Sequence, residues 1–343
     1  MRFKPITEAQ WKKDSAVPKA SLAPKIAKTA AVLEVLKPGV LTTVQDLGRI
    51  GWQHLGVPMG GAMDRRAARI ANLLLGNAEN EPVLEAALMG PEVKFFRDTW
   101  IAVTGATVEG VEGWRPLKMN AGQTLSLMRL TRGARVYLAV AGGFEIPAVL
   151  DGAGTLLRAA IGGLGGRALL PGDRLAARAA VMPDTPGGWS AAMEFRANGA
   201  DEITVRFVRG LQWDWFSQVS RQTFAAKPFG LTSRSDRMGL RMDGPVLKLK
   251  EPRDLVSEGV GFGSVQVPPD GHPIVLMVDR QTLGGYPKIA HVIAVDLPLL
   301  AQSRAGTKVN FVEISLTEAQ ELYLEEERAI AIFRAGVEAR LRR

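Results

Sequence analysis

Short apolar runs separated by glycine turns constrain the fold of this chain more than any other feature. Each run is five residues long and rich in β-branched, aromatic or other apolar side chains. Runs of this length bounded by turn residues are typical of strands rather than helices. They occur at residues 32–36, 100–104, 124–128, 136–140, 204–208, 274–278 and 309–313. We therefore predict a mainly β protein, built of barrels, with a few helices added.

The length of 343 residues favours two domains of similar size. Each half carries a cluster of an acidic residue, an arginine and a glycine, at residues 45–49 and 235–239. A segment rich in proline, glycine and polar residues around 182–200 separates the two halves. We predict a flexible basic extension at 1–30, domains at 31–185 and 200–315, and a C-terminal helix at 316–343.

Three helices are indicated by capping signals. Asp64 can cap a helix whose apolar face includes residues 67–75, and Gly76 occupies the position of a left-handed C-terminal cap. A shorter helix is predicted to follow Asp296. For the C-terminal helix we predict a capping box at residues 317–320, with glutamates early and arginines late, as the helix dipole favours.

Composition excludes several kinds of site. The chain has no cysteine, which rules out disulfides, thiolate ligands, iron–sulfur clusters and a cysteine nucleophile. Its three histidines, His54, His272 and His291, form no His-Glu-x-x-His pattern. We therefore predict no metal site on this chain.

The formal charge of +8 is concentrated at the N-terminus. Residues 1–30 contain seven basic and two acidic residues, a net charge of +5. Elsewhere no basic stripe with interleaved aromatic residues occurs, so neither nucleic acid nor membrane is expected as a partner. No apolar run is long enough for a signal peptide or a membrane span, and we expect a cytoplasmic protein.

Residues 42–64 are predicted to form a long ordered loop, since they hold too many polar residues and glycines for a strand. Asp46 and Arg49 are candidates either for an ion pair that shapes this loop or for direct ligand contact. His54 is a candidate base or phosphate contact, although a lone histidine is more often structural. Asp64 is interpreted primarily as the helix cap.

The segment 279–288 has the highest density of chemically useful groups. A buried apolar run leads directly into Asp279 and Arg280. There follow an amide, a hydroxyl, two adjacent glycines, a phenol and an ammonium group: Gln281, Thr282, Gly284, Gly285, Tyr286 and Lys288. Glycines allow a ligand or a second backbone to come close. We interpret this segment as a binding loop, with an exposed hairpin turn as the alternative.

Two further segments have a composition that suits anion binding, one through a charged cluster and one through its glycines. Residues 235–239 combine Asp236 with Arg237, whose planar guanidinium suits a carboxylate or phosphoryl group. Residues 257–266 resemble a glycine-rich anion cradle, but neither the P-loop nor the G-x-G-x-x-G pattern occurs. The glycine-dense region 142–166 is interpreted as barrel-corner turns rather than as a ligand contact.

Together these motifs resemble one family. The segments 42–49, 56–64, 71–77, 138–143, 235–239 and 279–288 match, in order, the biotin-dependent carboxyltransferase or allophanate hydrolase subunit 2 family. This family includes the C subunit of bacterial ATP-dependent 5-oxoprolinase and the KipI antagonist KipA. The resemblance extends over roughly residues 32–315. It implies two cyclophilin-like β-barrel domains.

The resemblance also implies an activity and partners. It suggests an ATP-dependent 5-oxoprolinase that hydrolyses 5-oxo-L-proline to L-glutamate, with ATP and Mg²⁺ as co-substrate. The partners would be a B subunit that is KipI-like and an A subunit of the LamB/YcsF type. On this hypothesis the catalytic residues are Arg49, Arg237, Lys288, Asp236 and Asp279. Substrate binding is assigned to Gln45, Asp46, His54, Arg280, Gln281, Thr282, Gly284, Gly285 and Tyr286.

Two alternatives stay open. The chain could act as a regulatory protein that sequesters a KipI-like inhibitor. It could also be the carboxyltransferase component of a biotin-dependent urea or amide carboxylase. The sequence has no biotinyl Ala-Met-Lys-Met segment, so we expect no covalently attached biotin on this chain.

Overall fold

The structure is a computed structural model that describes residues 31–180, 189–197 and 199–342. The predicted basic extension at 1–30 lies outside the described residues, as do 181–188 of the predicted linker. The prediction of a mainly β chain with a few helices is confirmed.

Two antiparallel sheets form the first half. One has five strands in the order β2-β3-β8-β5-β6, and the other has four in the order β7-β4-β1-β9. Their apolar faces enclose one core, which includes Leu33, Val103 and Phe144. The strands are β1 Ala31–Lys37, β2 Leu41–Gln45, β3 Val83–Ala87, β4 Glu92–Phe95, β5 Thr99–Val108, β6 Pro116–Met119, β7 Thr124–Ser126, β8 Leu130–Val140 and β9 Arg174–Ala176.

The second half is a closed barrel of seven strands in the order β10-β17-β14-β15-β12-β11-β18. Its first and last strands pair in parallel, whereas its other neighbours are antiparallel. A two-stranded ribbon, β13 with β16, lies beside it. The strands are β10 Glu202–Arg209, β11 Phe229–Leu231, β12 Gly239–Asp243, β13 Glu258–Gly259, β14 Ser264–Gln266, β15 Ile274–Leu276, β16 Leu283–Gly284, β17 Lys288–Val292 and β18 Lys308–Glu313.

Aromatic rings fill the barrel. Phe224 and Phe311 stack with their centroids 4.4 Å apart, and Phe207 meets Phe224 edge to face. Met63 of the first half is part of this same core. A side chain of the first half therefore completes the core of the second half.

Three glycine turns that precede strands share one backbone conformation. Gly122, Gly172 and Gly306 have φ angles of +85°, +85° and +93°, and each lies two residues before a strand. Only glycine adopts this region without strain. Residues 121–125, 171–175 and 305–309 each place this glycine second and an apolar residue fifth, and this shared pattern reflects a common turn geometry.

The described helices are α1 Arg65–Leu74, α2 Gln218–Ala226, α3 Leu297–Ala301 and α4 Leu316–Leu341. Asp64 caps α1 as predicted, accepting a hydrogen bond from the amide of Ala67 at 2.9 Å. The short helix after Asp296 is also confirmed. None of the helices in these described ranges combines the length and apolarity needed to cross a membrane.

The C-terminal helix begins at Leu316 as predicted, but the predicted capping box was wrong by two residues. The capping box is formed by Ser315 and Glu318, not by residues 317–320. Ser315 with Glu318 and Thr317 with Gln320 both have the spacing of the motif. Ser315 is the N-cap because β18 ends at Glu313, which leaves Ser315 in an extended conformation. Helix α4 docks on α1 through Ile330 and Val337. Arg69 of α1 holds Glu327 with two hydrogen bonds of 2.6 and 2.7 Å.

Candidate functional site

A cleft lies between the two halves of the described chain. It has a volume of about 430 Å³, within the usual range for small-molecule sites. Strands β2, β3 and β8 line one wall, and residues 231–240 with 303–305 line the other. Three of the charged side chains that line it are buried: Glu85, Arg237 and Asp279. We call these three residues the floor triad.

Arg237 connects the floor triad. Its Nε donates to Asp279 Oδ2 at 2.8 Å, its Nη1 pairs with Glu85, and its Nη2 donates to the Gly61 carbonyl at 2.6 Å. Burial acts to lower the pKa of Arg237, but the charges of Glu85 and Asp279 outweigh it and raise that pKa above its ordinary value. The guanidinium is thus permanently charged, and each of its nitrogens already has a protein partner. The triad carries one more carboxylate than cations.

A hydrogen-bonded network extends from the triad into α1. Tyr137 donates to Glu85 Oε2 at 2.8 Å and accepts from the amide of Asp64 at 2.8 Å. Asp64 Oδ2 in turn accepts from Gln302 Nε2 at 2.9 Å. Burial, and then the charge of Glu85, raise the pKa of Tyr137 well above its usual value. Its hydroxyl therefore stays a donor, and the network ties both halves together.

The buried carboxyl of Asp64 makes folding stability depend on pH in a defined direction. Burial raises its pKa above the ordinary value of 3.8. A group whose pKa is raised on folding contributes stability below its unfolded pKa and loses it as pH rises. Asn also caps helices well. We expect the unfolding free energy of wild type relative to Asp64→Asn to fall as pH rises above about 4, by up to about 1.4 kcal/mol per pH unit.

Chemical denaturation of both proteins at several pH values measures this difference directly. A difference that stays flat or grows with pH would contradict the assignment of Asp64 as a carboxyl penalised by burial.

The segment 45–49 anchors a loop of the first half. Gln45 Nε2 donates to the Thr155 carbonyl at 3.1 Å, and Asp46 Oδ2 accepts from the Ala153 amide at 2.6 Å. Arg49, fully buried, donates to the carbonyls of residues 149, 152 and 154. Of the two roles considered for Asp46 and Arg49, the direct ion pair is not formed among the described residues: each side chain binds backbone instead. Burial lowers the pKa of Arg49, although Asp46 and Asp279 oppose this shift.

The segment 59–62 lies between the two halves. The Gly60 amide donates to the Val278 carbonyl at 3.0 Å, and the Ala62 amide donates to the Asp46 carbonyl at 2.8 Å. Gly61 has φ +88°, and a Cβ there would lie 2.6 Å from the amide nitrogen of Gly48. Its carbonyl accepts from Arg237. Glycine at this position thus lets the backbone pass close enough to reach the triad.

Gly61→Ala is expected to lower the free energy of unfolding by about 2–3 kcal/mol, because a strained φ and a backbone clash add together. Gly51→Ala is a matched control. Gly51 has a similar φ of +95° but nothing within 4 Å of a Cβ. Chemical denaturation should show a clearly smaller loss for Gly51→Ala. Equal losses would mean that the contact with the Gly48 backbone does not constrain position 61.

A second cavity adjoins the cleft. It is a shallow surface depression with a volume of about 460 Å³, and Gln281 and Thr282 line it. Arg158, Met238 and Asp279 line both this cavity and the cleft.

Arg280, between Asp279 and Gln281, is turned into the protein. It is buried and donates to the carbonyls of Val260 and Met277. Burial and then the charge of Arg65 lower the pKa of Arg280 to about 10. Its guanidinium is therefore charged at neutral pH but already engaged by backbone.

Lys288 lies at the far end of the same turn. Its ammonium pairs with Glu258, and the hydrogen bond from Lys288 lowers the pKa of Glu258. Glu258 pairs across the ribbon with Gly284. Gly284 and Gly285 leave room for Gln266 and the Leu255 carbonyl, respectively, and Tyr286 is about half exposed. The ion pair thus lies at the opposite end of the turn from Gln281.

The remaining predicted site residues lie at the surface. Asp236 Oδ1 accepts from the Met238 and Gly239 amides, and Asp236 lines the cleft. Asp46 Oδ1 makes the equivalent contact with the Gly48 amide, so the two acidic clusters share one turn geometry. His54 is exposed, and its Nδ1 lies 2.8 Å from the Gly51 carbonyl. It lines neither cavity.

Sequence reasoning missed several residues of the site. Glu85 is the one charged residue in the otherwise apolar strand β3, and a glutamate in a buried run is a usable signal. Tyr137 and Gln302 gave no signal, because their partners are distant in sequence. The glycine-dense region 142–166 was interpreted as corner turns, yet its residues 156–159 line the two cavities.

Comparisons with known proteins show extensive similarity to one group. Over 308 residues the chain is 42% identical to the C subunit of 5-oxoprolinase from Escherichia coli (strain K12), covering 87% of this chain and 96% of that protein. It is 40% identical over 312 residues to the C subunit of 5-oxoprolinase from Haemophilus influenzae, covering 87% of this chain and 98% of that protein.

A solved structure has the same fold as this chain. The crystal structure of Kluyveromyces lactis urea carboxylase superposes with a TM-score of 0.83 at 27% identity. The superposition covers 96% of this chain but 31% of that larger one, so the chain spans about a third of that enzyme.

The sequence pattern described as "Carboxyltransferase domain, subdomain A and B" matches residues 55–313. This match includes the second half and most of the first, with every member of the floor triad. The chain therefore belongs to the carboxyltransferase domain family with subdomains A and B.

Proposed function

We propose that this chain is the C subunit of an ATP-dependent 5-oxoprolinase that hydrolyses 5-oxo-L-proline to L-glutamate. Its partners would be a KipI-like B subunit and a LamB/YcsF-like A subunit. The observation that carries this proposal is the similarity to the C subunits of two 5-oxoprolinases over nearly their whole length. Both halves that form the cleft lie within the part that is compared.

The proposed reaction requires charged groups that activate the lactam. A lactam carbonyl is a poor electrophile. Transfer of the terminal phosphoryl group of ATP to its oxygen would release ADP and activate the ring carbon. Addition of water to that carbon would then break the ring C–N bond, with the nitrogen protonated to the amine, and hydrolysis of the resulting acyl phosphate by a second water would give L-glutamate and phosphate. Such transfers depend on positioning and on fixed electrostatic partners. In our proposal, Asp279 accepts the lactam N–H or orients the attacking water, and Glu85 supplies the second acceptor. Arg237 holds both carboxylates in place as a positioning residue.

Other predicted site residues take supporting roles in this proposal. Gln281 and Thr282 would contact substrate from the second cavity, and Lys288 would supply positive charge to phosphoryl oxygens. Gln45, Asp46 and Arg49 would fix the loop that walls the cleft. Within the described ranges no group of three or more His, Asp or Glu residues could hold a metal ion. We therefore assign the Mg²⁺ of the proposed co-substrate to no ligand set on this chain.

Co-expression with the two partner subunits tests the proposal. The purified complex should release L-glutamate from 5-oxo-L-proline only when ATP is present, and omission of this chain should abolish release. A complex that assembles but hydrolyses no 5-oxo-L-proline would refute the proposed activity. Tight binding of the KipI-like partner without turnover would instead support a regulatory antagonist.

A second candidate is carboxyl transfer, favoured by the superposition on urea carboxylase. In that case the complex would move a carboxyl group between a separate biotinylated carrier and an amide. Assay of the same complex with a carboxylated biotin carrier distinguishes this activity from lactam hydrolysis.

A further inference from the structure

Most cations at or near the cleft are already bound to protein groups. Arg237 has a partner at each nitrogen, and Arg280 donates to carbonyls. Arg135 and Arg304, which line the cleft, also donate to backbone carbonyls across the interface between the halves. A ligand anion would have to break these bonds to reach their donors.

Arg158 differs from these residues. Its side chain is 71% exposed, and the partner that the described residues give it is Asp236, at 3.8 Å. An exposed ion pair at this separation contributes about 0–1 kcal/mol, so a ligand anion can replace Asp236 at little cost. Arg158 also lines both the cleft and the second cavity. It is therefore a cation placed at the junction of the two cavities and free to bind.

The backbone that carries Arg158 is held in place although its side chain is free. Leu156 and Ile161 form a bridge with two mutual hydrogen bonds. The Thr155 amide donates to the Val44 carbonyl at 2.8 Å, and Arg49 Nη2 donates to the Gly154 carbonyl at 2.6 Å. The segment 45–49 thus supports the part of the loop from which Arg158 projects into the site.

Asp279 and Arg158 line both cavities, so a carboxylate and an exposed cation face the same space. Asp279 of the floor triad is a carboxylate that can accept a further hydrogen bond from an N–H donor. Arg158 offers an exposed guanidinium whose pairing with Asp236 is weak, and such a group suits a carboxylate. We infer that Arg158 binds the carboxylate of a lactam that carries this group beside its ring N–H, and so selects it over neutral amides. This inference rests on the proposed function and names the residue that determines its substrate class.

Kinetics of the reconstituted three-subunit complex test the inference with 5-oxo-L-proline and its neutral counterpart 2-pyrrolidinone. Arg158→Met should raise KM for 5-oxo-L-proline about 10- to 100-fold, the usual loss for a charged hydrogen bond, with a much smaller change in kcat. The preference over 2-pyrrolidinone should fall by the same factor. Arg158→Lys, which keeps the charge, should restore part of the KM.

Arg234→Met is the matched control. Arg234 is an exposed arginine next to the cleft wall, 3.9 Å from Asp243, and it lines neither cavity. Its replacement should leave KM unchanged. An Arg158→Met complex with the KM and the preference of wild type would overturn the inference while leaving the proposed function intact.

A wild-type complex without turnover would refute the proposed function instead. Calorimetric titration of both compounds into the wild-type chain and into Arg158→Met would then decide the inference. Preferential binding of the carboxylated lactam that is lost in Arg158→Met supports it, and the absence of any preference overturns it.

Discussion

Replacement of Arg237 with methionine should lower the free energy of unfolding by about 3–5 kcal/mol, because two buried carboxylates would lose their common cation. Glu85 and Asp279 are both more than nine-tenths buried, so water cannot replace the guanidinium. The loss would also release the Gly61 carbonyl that Arg237 binds. Urea denaturation at pH 7 measures this effect.

Two further variants separate the charge effect from loss of packing. Arg234→Met, at an exposed position of the same segment, should change stability by about 0.5 kcal/mol or less. Addition of Glu85→Gln to Arg237→Met should recover part of the lost stability, because one uncompensated charge is removed. A loss below about 1 kcal/mol for Arg237→Met would mean that the buried charges do not depend on this arginine.

Lys288→Met in the reconstituted complex is expected to reduce turnover at least about 100-fold, the typical loss when a fixed electrostatic contact to the reacting group is removed. Assembly with the partner subunits should persist. The partner of Lys288, Glu258, has a side chain that is one-third exposed and can be solvated by water once the ammonium is gone. Glutamate release and size-exclusion chromatography of the complex measure the two effects.

Lys308→Met provides the comparison for Lys288. Lys308 is exposed on β18, and turnover should not respond to its loss. If Lys288→Met retained full turnover, Lys288 would be a structural residue that braces the β13–β16 ribbon through Glu258.

Local patterns predicted the fold well, because strands, caps and turns depend on neighbouring residues. Capping chemistry correctly predicted that Asp64 caps α1 and that Gly76 has a left-handed conformation, with φ +70°. The capping box of α4 was misplaced because two overlapping motifs satisfy the same spacing. The mainly β class likewise follows from short apolar runs alone.

The site was predicted less completely, for a physical reason. Sequence shows that Arg237 and Asp279 carry charge, but their partners depend on segments that fold from elsewhere. Glu85 lies more than a hundred residues from Arg237 in sequence, yet the two side chains pair. Catalytic roles for Arg49, Arg237, Lys288, Asp236 and Asp279 stay predictions, and so do the predicted domain boundaries. Of these residues, Arg49, Arg237 and Lys288 already bind other groups of the protein.

The parallel pairing of β10 with β18 has a consequence for biosynthesis. The barrel begins with Glu202–Arg209 and closes only when Lys308–Glu313 joins it. During translation one edge of β10 therefore stays unpaired until residues 308–313 have been synthesised. Exposed edges of this kind favour association between nascent chains. Cotranslational chaperone binding to this region is thus expected to matter more than for the earlier sheets, whose strands are all complete by residue 176.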